Sequence, residues 1–572
     1  MSRHRQRLLI LFPLILAVIG CSDADRVGRK ESDVSGPTNE RTPSSVGEAV
    51  AQSKRPNILL IMADDMGWTD ISCFGGEIET PNIDALSARG VRFSNFHTSV
   101  SCSPTRSMLM SGTDNHIAGL GNMSELLTDA QRGQPGYEGH LNKRVVTLAE
   151  VLRDGGYHTY MSGKWHLGDE PEHFPHARGF ERSFSMLQGG ASHFSDMIGL
   201  QATIQPIAKY VMDEKELDEL PKDFYSSRSY ADFLIDAIRE NRGDGKPFLA
   251  YFAPTAAHDP IHVPEPWLSK YRGQFDDGYE VLKAKRIAGA KRVGLIPESA
   301  VAPGRHPNTK PWDSLSDEEK VWESRAMEAY AGMVECMDYH IGRVISFLKD
   351  IGQYENTVII FTADNGPNPL DSDEYPGNAG AEWMKQFDNS LENIGRPGSF
   401  IGYGIGWAAA SAGPLDYFKL TVGEGGIRTP LIVAGPGVKG VRQIDSFAYV
   451  TDVMPTILDL ARLEHPGTYR GRNVERMRGR SLAGVTSGTR QNVYAKDALI
   501  GGEMINGKWM RKGDYKAVLV AKPLGPGEWR LYNTASDPGE AADLSSDKSA
   551  ILQELQSAWD VYAKDVGVVS SE

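Results

Sequence analysis

From Asn57 onward the chain alternates between short apolar runs and longer stretches in which apolar positions return every three or four residues. The run "NILLIM" (57–62) has strand length and no polar side, which predicts a strand buried on both faces. "TLAEVLRDGGYHTYMSGKWHLG" predicts a helix, a Gly-Gly stop and a second strand. "KPFLAYFAPTAAHDP" reads as a strand running into a loop, and "AYAGMVECMDYHIGRVISFLKDIG" as an amphipathic helix leading to the strand "TVIIFTADNGP". "TPLIVAGPG" and "DVMPTILDLARL" add a further strand and helix. This alternation predicts an α/β fold, a large doubly wound, mostly parallel sheet domain spanning residues 55–489.

The texture changes after about residue 490. "NGKWMRKGDYKAVLVAK" and "GEWRLYNTASDPGE" read as antiparallel strands with turns, and "SAILQELQSAWDVYAKDV" as a closing amphipathic helix. Residues 490–572 are therefore expected to form a smaller C-terminal α+β domain. Residues 376–413 mix Gly, Asn and aromatics without a period and read as a long surface loop.

The first 54 residues stand apart. "MSRHRQRLLILFPLILAVIGC" has a basic start, an apolar core too short for a comfortable span, and small residues running into Cys21. Residues 1–21 read as an export signal of lipoprotein type with Cys21 as the lipidation site; a plain secretory signal or an uncleaved anchor is the competing reading. Residues 22–54 are polar and rich in Ser, Gly and Pro, the composition of a disordered linker. The expected location is periplasmic or cell-surface, with the membrane reached only through that anchor.

Composition narrows the classes. At 572 residues, 40% hydrophobic and 24% charged, the chain has an ordinary globular composition. A formal charge of −14 excludes a general nucleic-acid binder, which needs a basic footprint. Beyond Cys21 only Cys73, Cys102 and Cys336 remain, too few for a disulfide scaffold, although one Cys73–Cys336 bridge is open.

Two strands end in paired oxygen donors. "NILLIMADD" delivers Asp64 and Asp65, and "VIIFTADN" delivers Asp364 and Asn365. In open α/β sheets ligands bind beyond the carboxyl ends of strands, and four hard oxygen donors suit Ca²⁺ or Mg²⁺. Either pair alone could merely cap the next helix; the repetition at two distant strand ends favours a metal. "SVSCSPTRSMLMSG" places Cys102 at a predicted helix N-terminus with Pro104 in the first turn, Arg106 one turn on, and a stop at Gly112. A buried structural thiol is the competing reading.

"CSPTR" resembles the Cys-x-Pro-x-Arg signature of the type I sulfatases of the alkaline phosphatase superfamily, in which the cysteine is oxidised to formylglycine by a maturation enzyme. "ADDMGW", "GYHTYMSGKWHLG", "TADNGP" and "GEGGIRTPLIVAGPG" extend the resemblance, and "GTDNHIAGLGNM" and "PGYEGHLNKRVVTLAEVL" look most like the bacterial arylsulfatase branch. Where the longer signature usually continues Leu-Thr-Gly-Arg, this chain has Met110-Ser111-Gly112-Thr113. The resemblance implies a Ca²⁺ held by Asp64, Asp65, Asp364, Asn365 and the modified Cys102. It implies that Arg106 orients the formylglycine hydroxyls and that Asp364 helps deprotonate one. It gives Lys164 and His166 sulfate binding and a base, and gives His258 and Lys419 the sulfate and the leaving oxygen. His262 competes with His258, which directly precedes Asp-Pro as in the family; His193 could lie near substrate. The expected reaction is hydrolysis of sulfate monoesters, aryl sulfates foremost. A glycan sulfatase, a phosphonate monoester or phosphodiester hydrolase, and a lipoprotein that only binds sulfated polymers are the alternatives.

Overall fold

The computed structural model describes residues 55–570. The signal segment, Cys21 and the linker of residues 22–54 lie outside the described residues. An 11-stranded mixed sheet forms the centre. Its middle five strands run parallel in the order Thr357–Ala363, Asn57–Ala63, Phe248–Ala253, His158–Lys164 and Arg182–Met186. Arg428–Ala434 joins antiparallel beside Thr357–Ala363, and Val91–His97 lies beyond it.

The parallel strands are buried on both faces because successive side chains feed opposite cores. Leu59, Ile61 and Ala63 enter one apolar cluster, while Ile58, Leu60 and Met62 enter the other. The long helix Asp317–Asp350 covers one face; Ser316 and Glu319 close its start with a reciprocal capping box, so it begins well before its apolar stripe suggests. Leu148–Asp154 is capped the same way by Thr147 and Glu150.

A separate four-stranded antiparallel sheet follows: Leu499–Met504, Gly507–Lys512, Tyr515–Leu519 and Trp529–Asn533. Met510, Ala517 and Leu531 face Leu555 and Trp559 of the terminal helix Ser549–Val566. Trp509, Val518 and Tyr532, on the other face, join the core of the large sheet.

Two expectations change. Within the segment read as a surface loop, Gly404–Ala412 is a buried helix, and its Trp407 sits edge-on to Phe275, Tyr279 and Trp312. Its sequence is apolar all round, so no period distinguishes it from a loop rich in small residues. Cys73 and Cys336 are both free thiols, so the open disulfide is not made. Cys336 is buried in the long helix, and the Cys73 carbonyl accepts from Arg92 in the neighbouring strand.

A buried ion cluster joins the small sheet to the large-sheet part of the chain. His116 sets Nδ1 against Asp114 (2.9 Å) and Nε2 against Glu503 (3.1 Å), and the Tyr562 hydroxyl donates to Asp114 (2.7 Å). Burial opposes the charge, but the two carboxylates outweigh it and raise the His116 pKa to about 9. A histidine pKa raised on folding contributes stability that is complete below its unfolded value of about 6.5. That contribution is lost as pH rises through about 9. The thermal midpoint of the wild type should therefore fall between pH 6.5 and 9. His116→Gln, which leaves two buried carboxylates without a cation, should lose about 3–5 kcal/mol at pH 6.5 and show no such fall. Differential scanning calorimetry across that range checks both.

Candidate active site

The register of two strands builds the site. Ala63 pairs with Ala363, so Asp64-Asp65 and Asp364-Asn365 leave the sheet side by side. The Asp65 amide, on a residue with φ of 55°, donates to Asp364 Oδ1 (3.2 Å). Gly366 sits where a Cβ would stand 1.8 Å from the Gly425 carbonyl oxygen, so only glycine lets this turn reach the Gly-rich segment after Lys419.

Cys102 opens the helix Cys102–Ser111, whose ten residues are all buried and whose left-handed Gly112 ends it. Ser101 occupies the cap position, but its hydroxyl turns to Met123 Sδ instead of the helix. Cys102 Sγ lies 3.5 Å from Asp64 Oδ1 and 3.6 Å from Asp65 Oδ1. Burial, with Asp364 behind it, pushes the thiol pKa well up.

Three cations answer the three buried carboxylates. Arg106 donates through Nε and Nη2 to Asp364 Oδ2 (3.0 and 2.8 Å) and through Nη1 to the Lys164 carbonyl (2.8 Å). Lys164 Nζ bonds Asp64 (2.8 Å), and Lys419 Nζ bonds Asp65 Oδ2 (2.6 Å). Burial works against the Lys419 charge, yet Asp65 and its neighbours carry its pKa well above the ordinary lysine value. Lys419 also donates to His258 Nε2 (3.3 Å), and His258 Nδ1–H donates to the Asp259 carbonyl (2.6 Å). Burial, then Lys419, hold His258 neutral, well below the usual histidine range.

His166 lies beyond the strand that carries Lys164. The strand ends at Lys164, and His166 follows with a positive φ of 54°, which turns its ring into the cavity over Cys102. Burial lowers its pKa; neither ring nitrogen has a hydrogen-bond partner, although Glu125 Oε1 lies 3.2 Å from Nε2. His262 points elsewhere, donating to the Ser399 carbonyl. His193 supports His258 from behind by donating to its carbonyl (3.0 Å).

Asp64, Asp65, Cys102 and His258 bring one donor atom each within 4.8 Å of one another. Asn365 Nδ2 donates to Asp65 Oδ1 (2.7 Å), which leaves the buried Asn365 Oδ1 without a partner. Burial, with Asp364 adding to it, pushes Asp64 well above the ordinary carboxylate range despite Lys164 and Arg106. An orphaned oxygen beside crowded buried carboxylates fits a hard divalent cation.

Residues 56–463 match the sulfatase family. The chain belongs to that family. It is 44% identical over 533 residues to an uncharacterized sulfatase of Schizosaccharomyces pombe, covering 91% of this chain and 96% of that one. It is 40% identical over 442 residues to an arylsulfatase of Klebsiella aerogenes, with 77% and 94% covered. A solved structure in complex with its substrate D-glucosamine-2-N,6-O-disulfate shares the fold, with a TM-score of 0.57 and 21% identity over 90% of this chain and 98% of that one. This sulfatase is therefore a sulfuric ester hydrolase.

Two parts of the sulfatase site carry no sequence signal. A cavity of about 260 Å³ opens over Cys102, His166, His258 and Lys419, and Met123, Glu125, Leu200, Leu370 and Tyr375 wall it from distant segments. Lys516 of the small sheet enters fully buried beneath the Lys419 loop, donating to the Val422 carbonyl (2.9 Å) and Glu424 (2.8 Å) and pairing with Glu540 (2.9 Å).

Ca²⁺ added to chelator-treated protein should raise the thermal midpoint, by the equivalent of about 2.7 kcal/mol at a hundredfold excess over Kd. Asp64→Asn should fold and lose most of that increment. Equal shifts in both proteins would remove the cation from this cluster.

Proposed function

We propose that this sulfatase cleaves aryl sulfate monoesters with a formylglycine hydrate formed from Cys102. A Ca²⁺, with Mg²⁺ as the alternative ion, would be held by Asp64, Asp65, Asp364, Asn365 and the modified residue 102. The observation that carries the reading is the setting of Cys102. Cys102 lies at the floor of the cavity, 3.5 Å from Asp64 Oδ1 and 3.6 Å from Asp65 Oδ1, at the head of the helix that carries Arg106. The hydrated aldehyde supplies two hydroxyls on one carbon, one to attack sulfur and one to expel sulfate, which neither serine nor cysteine can do. A cation held there would supply Lewis acidity to the reaction.

The chain's own groups do the rest. Arg106 keeps Asp364 ionised as a proton acceptor beside residue 102. Lys164 and Lys419 bring positive charge to where sulfate oxygens gather, and Lys419, hydrogen-bonded to His258, is placed to serve the leaving oxygen. His166, its ring turned over the cavity with Glu125 3.2 Å from Nε2, is the base for release of sulfate.

The apolar wall supports an aryl group, and a cavity below the usual ~300–1,000 Å³ of ligand clefts suits one ring. A sugar ester is the second reading, supported by Gln201 and Gln205 on the same wall and by the structural relative with a disulfated glucosamine as its substrate. Maturation requires a formylglycine-generating enzyme. The amino-terminal pattern supports export and anchoring through lipidated Cys21, so Cys21→Ala should release the protein from membranes.

The substrate test is kcat/KM for an aryl sulfate, the matching aryl phosphonate monoester and a monosaccharide sulfate, on protein whose Cys102 peptide has the aldehyde mass. The aryl sulfate should lead; a lead for the phosphonate or the sugar would overturn the aryl sulfate reading. Lys419→Ala should lower kcat by about 10²–10³-fold, the usual loss for one preorganised charge donor.

A further inference from the structure

The cavity wall differs in charge from its floor. The floor brings Lys419 to the sulfate position, whereas the groups that would meet the leaving group are apolar, neutral amides at Gln201 and Gln205, or acidic. Among the described residues that line the cavity, Lys419 is the one lysine or arginine, and it is already paired with Asp65. The wall instead carries Glu125 and Glu374. Glu125 stands on the wall with Oε1 3.2 Å from His166 Nε2. Glu374 is exposed at the rim, fixed by the Asp371 amide, which donates to its Oε2 (2.8 Å). It belongs to the run "DSDE" (371–374), whose Asp373 is also exposed.

We infer that this sulfatase selects esters whose leaving group is neutral or cationic and discriminates against leaving groups that carry a second anion. This rests on the hydrolytic reading above and specifies its substrate. An apolar wall gives a ring its contact area, and the acidic rim then sets which substituents the ring can carry. A second carboxylate or sulfate on the departing group would enter beside Glu374 and Glu125 with no free cation on the wall to receive it. An ammonium group there gains two carboxylates. The interaction is between partly solvated charges, so it is screened by salt.

The test uses three phenyl sulfates bearing at the para position, through an insulating methylene, a trimethylammonium, a hydroxyl or a carboxylate. The methylene keeps the leaving-group acidities close, and comparing proteins cancels what difference remains. With aldehyde at residue 102 verified by mass, kcat/KM should be about tenfold higher for the cationic than for the anionic ester at low ionic strength. The gap should shrink at 0.5 M salt, where the screening length is roughly half its 0.1 M value. Glu374→Gln, which keeps an oxygen to accept from the Asp371 amide, should raise the anionic-to-neutral ratio several-fold and lower the cationic-to-neutral ratio. Turnover that ignores the charge, or favours the anionic ester, with ratios unchanged in Glu374→Gln, overturns this inference and leaves aryl sulfate hydrolysis standing. No turnover of any of the three overturns both.

Discussion

Three carboxylates, Asp64, Asp65 and Asp364, are buried together where two parallel strands end in register, and that concentration of negative charge is the constraint the site is built around. Removing one partner of a buried ion pair typically costs about 3–5 kcal/mol, so the cations beside them are structural necessities whatever else they do. Arg106 arrives on the helix that begins with Cys102, Lys164 at the end of a neighbouring strand, and Lys419 on a loop. Each carboxylate thus ties a different element to the strand ends, and the same three ties bring both signs of charge around residue 102. A site that binds an anion and a cation at once needs both signs buried side by side.

The loop with Lys419 is the least regular of these supports, and it is fastened twice. The Leu420 amide donates to the Val100 carbonyl, two residues before Cys102, and Lys516 holds the Val422 carbonyl and Glu424 from the small sheet. Glu424 in turn accepts from His97 and Arg428 and donates its amide to Glu540. The C-terminal sheet therefore contributes to the geometry of the active site through one buried lysine, although none of its residues lines the cavity over Cys102.

The parts of this arrangement that were legible in the sequence are those carried by local pattern. Apolar runs ending in "ADD" and "ADN" mark both strand ends, because each run is apolar along most of its buried length and turns acidic where the chain leaves the sheet. Cys102, Pro104 and Arg106 could be placed on one helical turn for the same local reason. The wall was not legible: Met123, Glu125, Leu200, Leu370 and Tyr375 come together only through tertiary packing, and none has a neighbour that marks it. His166 was named by resemblance, but its orientation follows from a positive φ after the strand, not from strand alternation. The helix Gly404–Ala412 was missed because burial on all sides erases the polar face that gives a helix its period.

The central claim is that Cys102 acts only after oxidation of its Cβ. The most direct measurement prepares the protein at several levels of aldehyde at residue 102, each quantified by peptide mass, and follows aryl sulfate turnover with Ca²⁺ present. The account predicts turnover proportional to the aldehyde fraction, with a line through zero. Substantial turnover extrapolated to zero aldehyde would contradict it and make the unmodified thiol, or a water, the nucleophile.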